Sequence, residues 1–141
     1  MGIKIKGTSR VLNRLKNVSN KATLETKSAV VRNTDQMFSE ALANVPVLDG
    51  YLRGSGNSSY QDNQLTGVVS FGGQAAPYAP YVEFGTGSNV SIPEGFGAYA
   101  MQFYVNGKGT MKAQPFLIPA YIKYKKVFLR DIRKIAKNIS K

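Results

Sequence analysis

The 141-residue sequence contains no cysteine and no histidine. Without cysteine there is no disulfide framework, no thiol nucleophile and no cysteine-based metal site. Without histidine the commonest general base and the commonest metal ligand are gone. Acids are also few, eight Asp and Glu against 19 Lys and Arg, and none forms a close pair. No apolar run approaches the roughly 20 residues that span a bilayer. The N-terminal Met1-Gly2-Ile3-Lys4-Ile5-Lys6 lacks the apolar stretch of a signal peptide. Gly54-Ser55-Gly56 does not have the spacing of a nucleophile elbow. Gly85-Thr86-Gly87 and Gly107-Lys108-Gly109-Thr110 do not have the spacing of a phosphate-binding loop. The expectation is a protein made in the cytoplasm that is not an enzyme, with no catalytic residue, cofactor, metal or membrane contact.

What is present is charge, unevenly distributed. Residues 1–32 carry eight basic side chains and one acid, +7; residues 33–107 carry one basic side chain and six acids, −5; residues 108–141 carry ten basic side chains and one acid, +9. Basic ends around an acidic middle suit a polyanionic neighbour, either nucleic acid or an acidic protein. They also suit helices whose charged faces are simply solvated. The length fits one domain over 1–141, large enough to bury a core without disulfide or metal staples.

Periodicity predicts the elements. Val11, Leu15, Val18 and Ala22, then Val30, Met37, Ala41 and Val45, recur at helical spacing over 9–44. Thr8 or Ser9 is placed to cap that helix, Arg10, Arg14, Lys21 and Arg32 lie mostly off the apolar stripe, and Pro46 ends it. Asp49-Gly50 opens a hairpin over 49–72, with a polar strand at about 53–60, a loop at Gln61-Asp62-Asn63, and a second strand with Leu65, Val69 and Phe71 on one face. A short helix ending at a glycine is expected at 78–84. In the 88–113 segment Tyr99, Met101, Phe103 and Val105 alternate before Asn106-Gly107, which predicts a protruding β-hairpin arm over 88–112. The closing helix at 116–139 has an apolar stripe from Leu117, Ala120, Tyr121 and Tyr124 through Val127 or Phe128 to Ile132, Ile135 and Ile139. Lys123, Lys126, Arg130, Arg133 and Lys137 form a basic stripe on another face. Tyr121 and Tyr124 are the rings available to stack on bases, but they fall on the apolar stripe. The fold class expected is α+β: two long helices on a small, mostly antiparallel sheet.

Three segments stand out: Val45-Pro46-Val47-Leu48-Asp49-Gly50-Tyr51-Leu52-Arg53-Gly54-Ser55, then Tyr78-Ala79-Pro80-Tyr81-Val82-Glu83-Phe84-Gly85-Thr86-Gly87, then Ala113-Gln114-Pro115-Phe116-Leu117-Ile118-Pro119-Ala120. Arg53 and Glu83, lone charges among apolar neighbours, are expected either to pair, partly buried, or both to face solvent. In this order the segments resemble the tail-completion, or neck, proteins of long-tailed double-stranded DNA bacteriophages, over about residues 9 to 138. One departure is Leu48-Asp49-Gly50, where the family pattern has Asp-Thr-Gly.

The resemblance implies a structural virion protein that joins the tail to the head as a ring subunit around the DNA channel. It marks Arg53, Tyr78, Tyr81, Glu83, Gly85, Gly87, Pro115 and Phe116 as structural motif residues. The implied partners are further copies of the chain, neighbouring neck and tail proteins such as head-closure, tail-terminator or tail-tube proteins, and the genomic DNA in transit. The basic stripe would meet protein or DNA. The alternative is a nonspecific nucleic-acid-binding protein, carried by the net charge of +11.

Overall fold

The computed structural model describes residues 1–6, 20–48, 50–103 and 107–140. The fold is α+β. Helix α1 runs over Asn20–Asn44. Thr8, Ser9, Arg10, Val11, Arg14, Leu15 and Val18, all assigned to this helix from the sequence, lie outside the described residues. Ala22, Ala29, Val30, Met37 and Ala41 are buried as the periodicity requires. Thr26, Asn33 and Thr34 are buried between them. They satisfy themselves by bonding back one turn, to the carbonyls of Ala22, Ala29 and Val30 at 2.7–2.9 Å. The helix stops just before Val45-Pro46, as a following proline demands.

A single turn of helix, α2 (Tyr51–Gly54), follows where a strand was expected to start. Strand β2 is Asn57–Gln61 and strand β3 is Thr66–Ser70, paired antiparallel from Asn57↔Ser70 to Gln61↔Thr66. Their loop holds Asp62, Asn63 and Gln64 at φ of 53°, 55° and 66°, and the Thr66 hydroxyl donates to the Asp62 carboxylate at 2.6 Å. Val69 and Phe71 are buried on one face and Leu65 is half-buried. A strand the sequence reading passed over, β1 (Gly2–Lys6), pairs antiparallel with the other edge of β3, giving the order β1-β3-β2. The Met1 ammonium and carbonyl extend the pairing to the Phe71 carbonyl and amide, both at 2.7 Å.

Helix α3 (Ala79–Phe84), the short α4 (Gly97–Ala100) with a 3-10 turn at Met101–Phe103, and α5 (Ile118–Ile139) complete the chain. The β-hairpin arm is a correction: among the described residues 88–112 contains no strand, and residues 97–103 are helical. Val105 and Asn106 of the expected turn lie outside the described residues. Alternating Tyr99, Met101 and Phe103 were read as a strand face, but the Gly97-Ala98-Tyr99-Ala100 run instead puts Ala100, fully buried, into the core. Val90, Phe96, Tyr99 and Phe103 of this segment pack against the core rather than protruding from it. Tyr99 packs edge-on against Phe84 at 6.3 Å, and its hydroxyl donates to the Gly2 carbonyl of β1 at 3.2 Å.

Helices α1 and α5 run antiparallel, since Arg32 pairs with Asp131 (2.9 Å) and Glu40 with Lys123 (2.6 Å). Their apolar stripes and one face of the sheet enclose Met37, Phe71, Phe84, Phe116, Leu117 and Ile118. Phe71 and Phe116 meet edge to face at 5.2 Å and 78°. The Thr34 side chain of α1 lies directly over Gly67 of β3, where an added Cβ would fall 1.8 Å from its hydroxyl oxygen. Only glycine lets helix and sheet approach this closely.

Candidate functional site

The closing helix needs an N-terminal cap that its own sequence does not supply. Its cap position is Leu117, and neither Pro115 nor Phe116 before it carries a side-chain acceptor. Backbone N–H groups at a helix start are donors without partners, and a buried start requires acceptors from elsewhere. Glu83 provides them from α3. Its Oε2 accepts the amides of Phe116 (2.9 Å) and Leu117 (3.0 Å), and its Oε1 accepts that of Ile118 (2.9 Å). The residue is 1% exposed. Burial pushes its carboxyl above the usual range, and the three amides pull it only part of the way back. The carboxylate thus faces the positive end of α5 and fixes where that helix begins.

The surrounding motif residues build the same clamp. Gly85 ends α3 at φ 78°, and Gly87 sits at φ 57° with its Cα against the Gly109 carbonyl, where a Cβ would lie 2.0 Å from the oxygen. This close approach lets the 109–114 segment run beside the end of α3. Thr86 N–H donates to the Met111 carbonyl at 2.9 Å, Met111 N–H to the Thr86 hydroxyl at 2.8 Å, and Gln114 N–H to the Val82 carbonyl at 2.8 Å. Phe116 is fully buried and Pro115 exposed, while Tyr78 and Tyr81 are half-buried beside a groove of about 750 Å³ shared with Thr86 and Lys108. The second and third sequence motifs therefore meet. The Tyr99 hydroxyl nearby is pushed up to about 12 by burial, with the Glu83 charge adding to the effect.

The expected Arg53–Glu83 pair does not form. Arg53 is exposed on α2, and the Glu83 oxygens are occupied by the three amides. The sequence showed two lone opposite charges; it did not show that a helix start 35 residues downstream of Glu83 had no cap of its own. The first motif works through other residues: Leu52 enters the core, and the Ser55 hydroxyl accepts the Gly72 amide at 2.8 Å where β3 ends.

Lys123, Lys126, Arg130, Arg133 and Lys137 are all exposed along α5, opposite its buried stripe. Lys123 donates to Glu40 and lies 5.2 Å from the Tyr124 ring. The other four have no ion pair among the described residues. Tyr121 and Tyr124 are half-buried against the core cluster and so are not free platforms for bases. Sequence reasoning missed the Arg32–Asp131–Asn33 cluster, in which Asn33 and Arg32 both donate to Asp131 at 2.9 Å. Burial raises the Asp131 carboxyl, but those bonds and the charges of Arg32 and Arg130 outweigh it and hold it below the usual range. It also missed a groove of about 530 Å³ flanking α5, lined by Phe96, Tyr121, Ile122 and Leu129. Ile122 and Leu129 are apolar positions seven apart and off the core stripe, which is a signal the sequence did carry.

Five of the eight acids hold structure together: Asp35 accepts the Tyr60 hydroxyl, Glu40 holds Lys123, Asp62 holds Thr66, Glu83 holds α5 and Asp131 holds α1. Among the described residues no group of three or more His, Cys, Asp or Glu is placed to hold a metal ion, and no helix is long and apolar enough to cross a membrane. No family model, curated protein or solved structure matches the chain.

Proposed function

We propose that the chain is a structural subunit of the neck of a long-tailed phage particle, joining tail to head as one member of a ring around the DNA channel. The observation that carries this is the ordered set of three motifs, the second and third of which meet at the Glu83 clamp. The clamp supports the reading physically, because it fixes the start of α5 and holds its basic face in one orientation. Surface complementarity, without chemistry, is then the mechanism. Copies of the chain would contact one another, and neck and tail neighbours (head-closure, tail-terminator or tail-tube proteins) would contact the ring, with genomic DNA passing through it. The test is location: the protein should be found at a fixed low copy number at the neck of purified particles, visible by cryo-electron microscopy. Its absence from virions ends this proposal.

The second reading, a nonspecific nucleic-acid-binding protein, is favoured by the net charge of +11 and by the exposed Lys126, Arg130, Arg133 and Lys137. It requires binding to arbitrary duplex DNA with a steep salt dependence, because each phosphate contact releases a counterion.

A further inference from the structure

We propose that the groove between the 94–96 loop and the flank of α5 binds an acidic segment of a partner protein, one that presents two apolar side chains about 10 Å apart. This deepens the reading of α5 as a partner face by naming the chemistry of what docks beside it.

The groove is amphipathic. Its floor is Phe96 and Tyr121, edge to face at 6.0 Å and 89°. Its helix wall is Ile122, Lys125, Lys126 and Leu129, the i, i+3, i+4, i+7 set that shares one side of a helix. Ile122 and Leu129 are each 36% exposed, at the two ends of a wall about 10 Å long. That length accepts two anchors from a short helical or extended segment. The remaining acid at the rim is Glu94, on the loop side. It directs the carboxylates of a ligand toward the lysines of α5.

Charge complementarity selects the occupant. Helix α5 carries seven basic side chains and one acid, Asp131, which is already held by Arg32 and Asn33. A second copy of the chain would have to offer its acidic 33–107 segment, but Asp35, Glu40, Asp62 and Glu83 there are already hydrogen-bonded within the fold, and its two ends are basic. Nucleic acid would use the lysines but leave the apolar floor and both aliphatic ends without a partner. The Tyr121 ring is half-buried against the core, perpendicular to Phe96 and with Lys125 5.9 Å from its centre, so it is not an open platform for stacking a base. An acidic peptide with apolar anchors satisfies both halves of the groove.

The experiment is selection of a yeast-displayed library of random dodecapeptides on the intact protein, counter-selected on Ile122→Ser/Leu129→Ser, with both proteins checked for helix content by circular dichroism. The expected result is enrichment of peptides with several carboxylates and two apolar residues spaced to span about 10 Å, about seven apart on a helical peptide or about three apart on an extended one. A synthetic copy of the winner should bind at least about tenfold more weakly to the double variant and to Lys125→Glu/Lys126→Glu. No enrichment, enrichment of peptides lacking either carboxylates or apolar anchors, or displacement of the winner by duplex DNA with unchanged binding to the double variant would each overturn the proposal. A failed selection leaves the neck location intact, and absence from virions leaves the peptide specificity intact, so the two readings fail separately.

Discussion

Glu83 concentrates most of the physics of this chain into one side chain. Glu83→Gln keeps the shape but turns an NH2 toward at least one amide of α5, which leaves a buried donor unpaired and costs about 1–3 kcal/mol. Glu83→Leu leaves all three amides without an acceptor and costs more, about 3–5 kcal/mol. Chemical denaturation of the two variants should return that order. The pH dependence has a definite sign. Burial raises this carboxyl above its ordinary 4.5, so between that value and its folded value the native chain holds a proton that the unfolded chain releases. Its contribution is then fully present below about pH 4.5 and lost as pH rises through the folded value. Glu83→Gln does not titrate, so the stability gap between wild type and this variant should narrow as pH rises across that window. A gap that widens would show that the three amide bonds outweigh burial. In the β2–β3 loop Gln64 is held at φ 66°, a conformation that costs a non-glycine residue about 1–2 kcal/mol. Gln64→Gly should raise the denaturation midpoint modestly, since glycine's extra freedom in the unfolded chain offsets about 0.5–1 kcal/mol of that relief.

At the level of elements, the sequence carried the helices well and the joints poorly. Ala22, Val30, Met37 and Ala41 on α1, and Ala120, Phe128, Ile132 and Ile135 on α5, announce their burial by spacing alone. Local patterning is sufficient there because each helix buries one continuous stripe. The β1 strand was passed over although Ile3-Lys4-Ile5-Lys6 alternates strictly, because the run is so short; its place is fixed by the vacant edge of β3, which is a tertiary fact. The Glu83 clamp was legible only as an isolated acid, because its partners are backbone amides, and backbone amides have no letter in the sequence. The 88–112 segment failed for a related reason: alternation and an Asn-Gly pair suit a hairpin locally, yet the core had room for Ala100 and an aromatic contact for Tyr99. A protruding arm could be deleted without loss of the core, but this segment cannot. Removing 88–112 takes away Ala100, the Tyr99–Phe84 contact and the bonds from Thr86 to Met111. The shortened chain should therefore lose cooperative unfolding in thermal melts; a protruding arm would have left them unchanged.

On the scale of the whole molecule, stability and charge are separated in space. The apolar core and the acids that staple it lie inside or between elements, whereas α5 directs most of its basic side chains to solvent. Exposed charges of this kind contribute little to folding, typically below about 1 kcal/mol each, so the face is free to serve contact. Reversal of Arg130, Arg133 and Lys137 to Glu separates the two properties, because it spares Lys123, which is bonded to Glu40, and also the lysines of the groove. The triple variant should melt within a few degrees of wild type. In a phage carrying this gene it should leave filled heads and completed tails unjoined, countable by electron microscopy. Under the proposed neck reading a protein partner is the favoured contact for that face, since DNA would have to slide through the channel and strong phosphate binding would slow its passage. The salt dependence of duplex DNA binding by the purified proteins then decides which partner the face serves. Unjoined particles together with weak, unchanged DNA binding assign the face to protein. Unjoined particles with DNA binding lost in the triple variant assign it to the genome in transit, and normal joining shows a face that is only solvated.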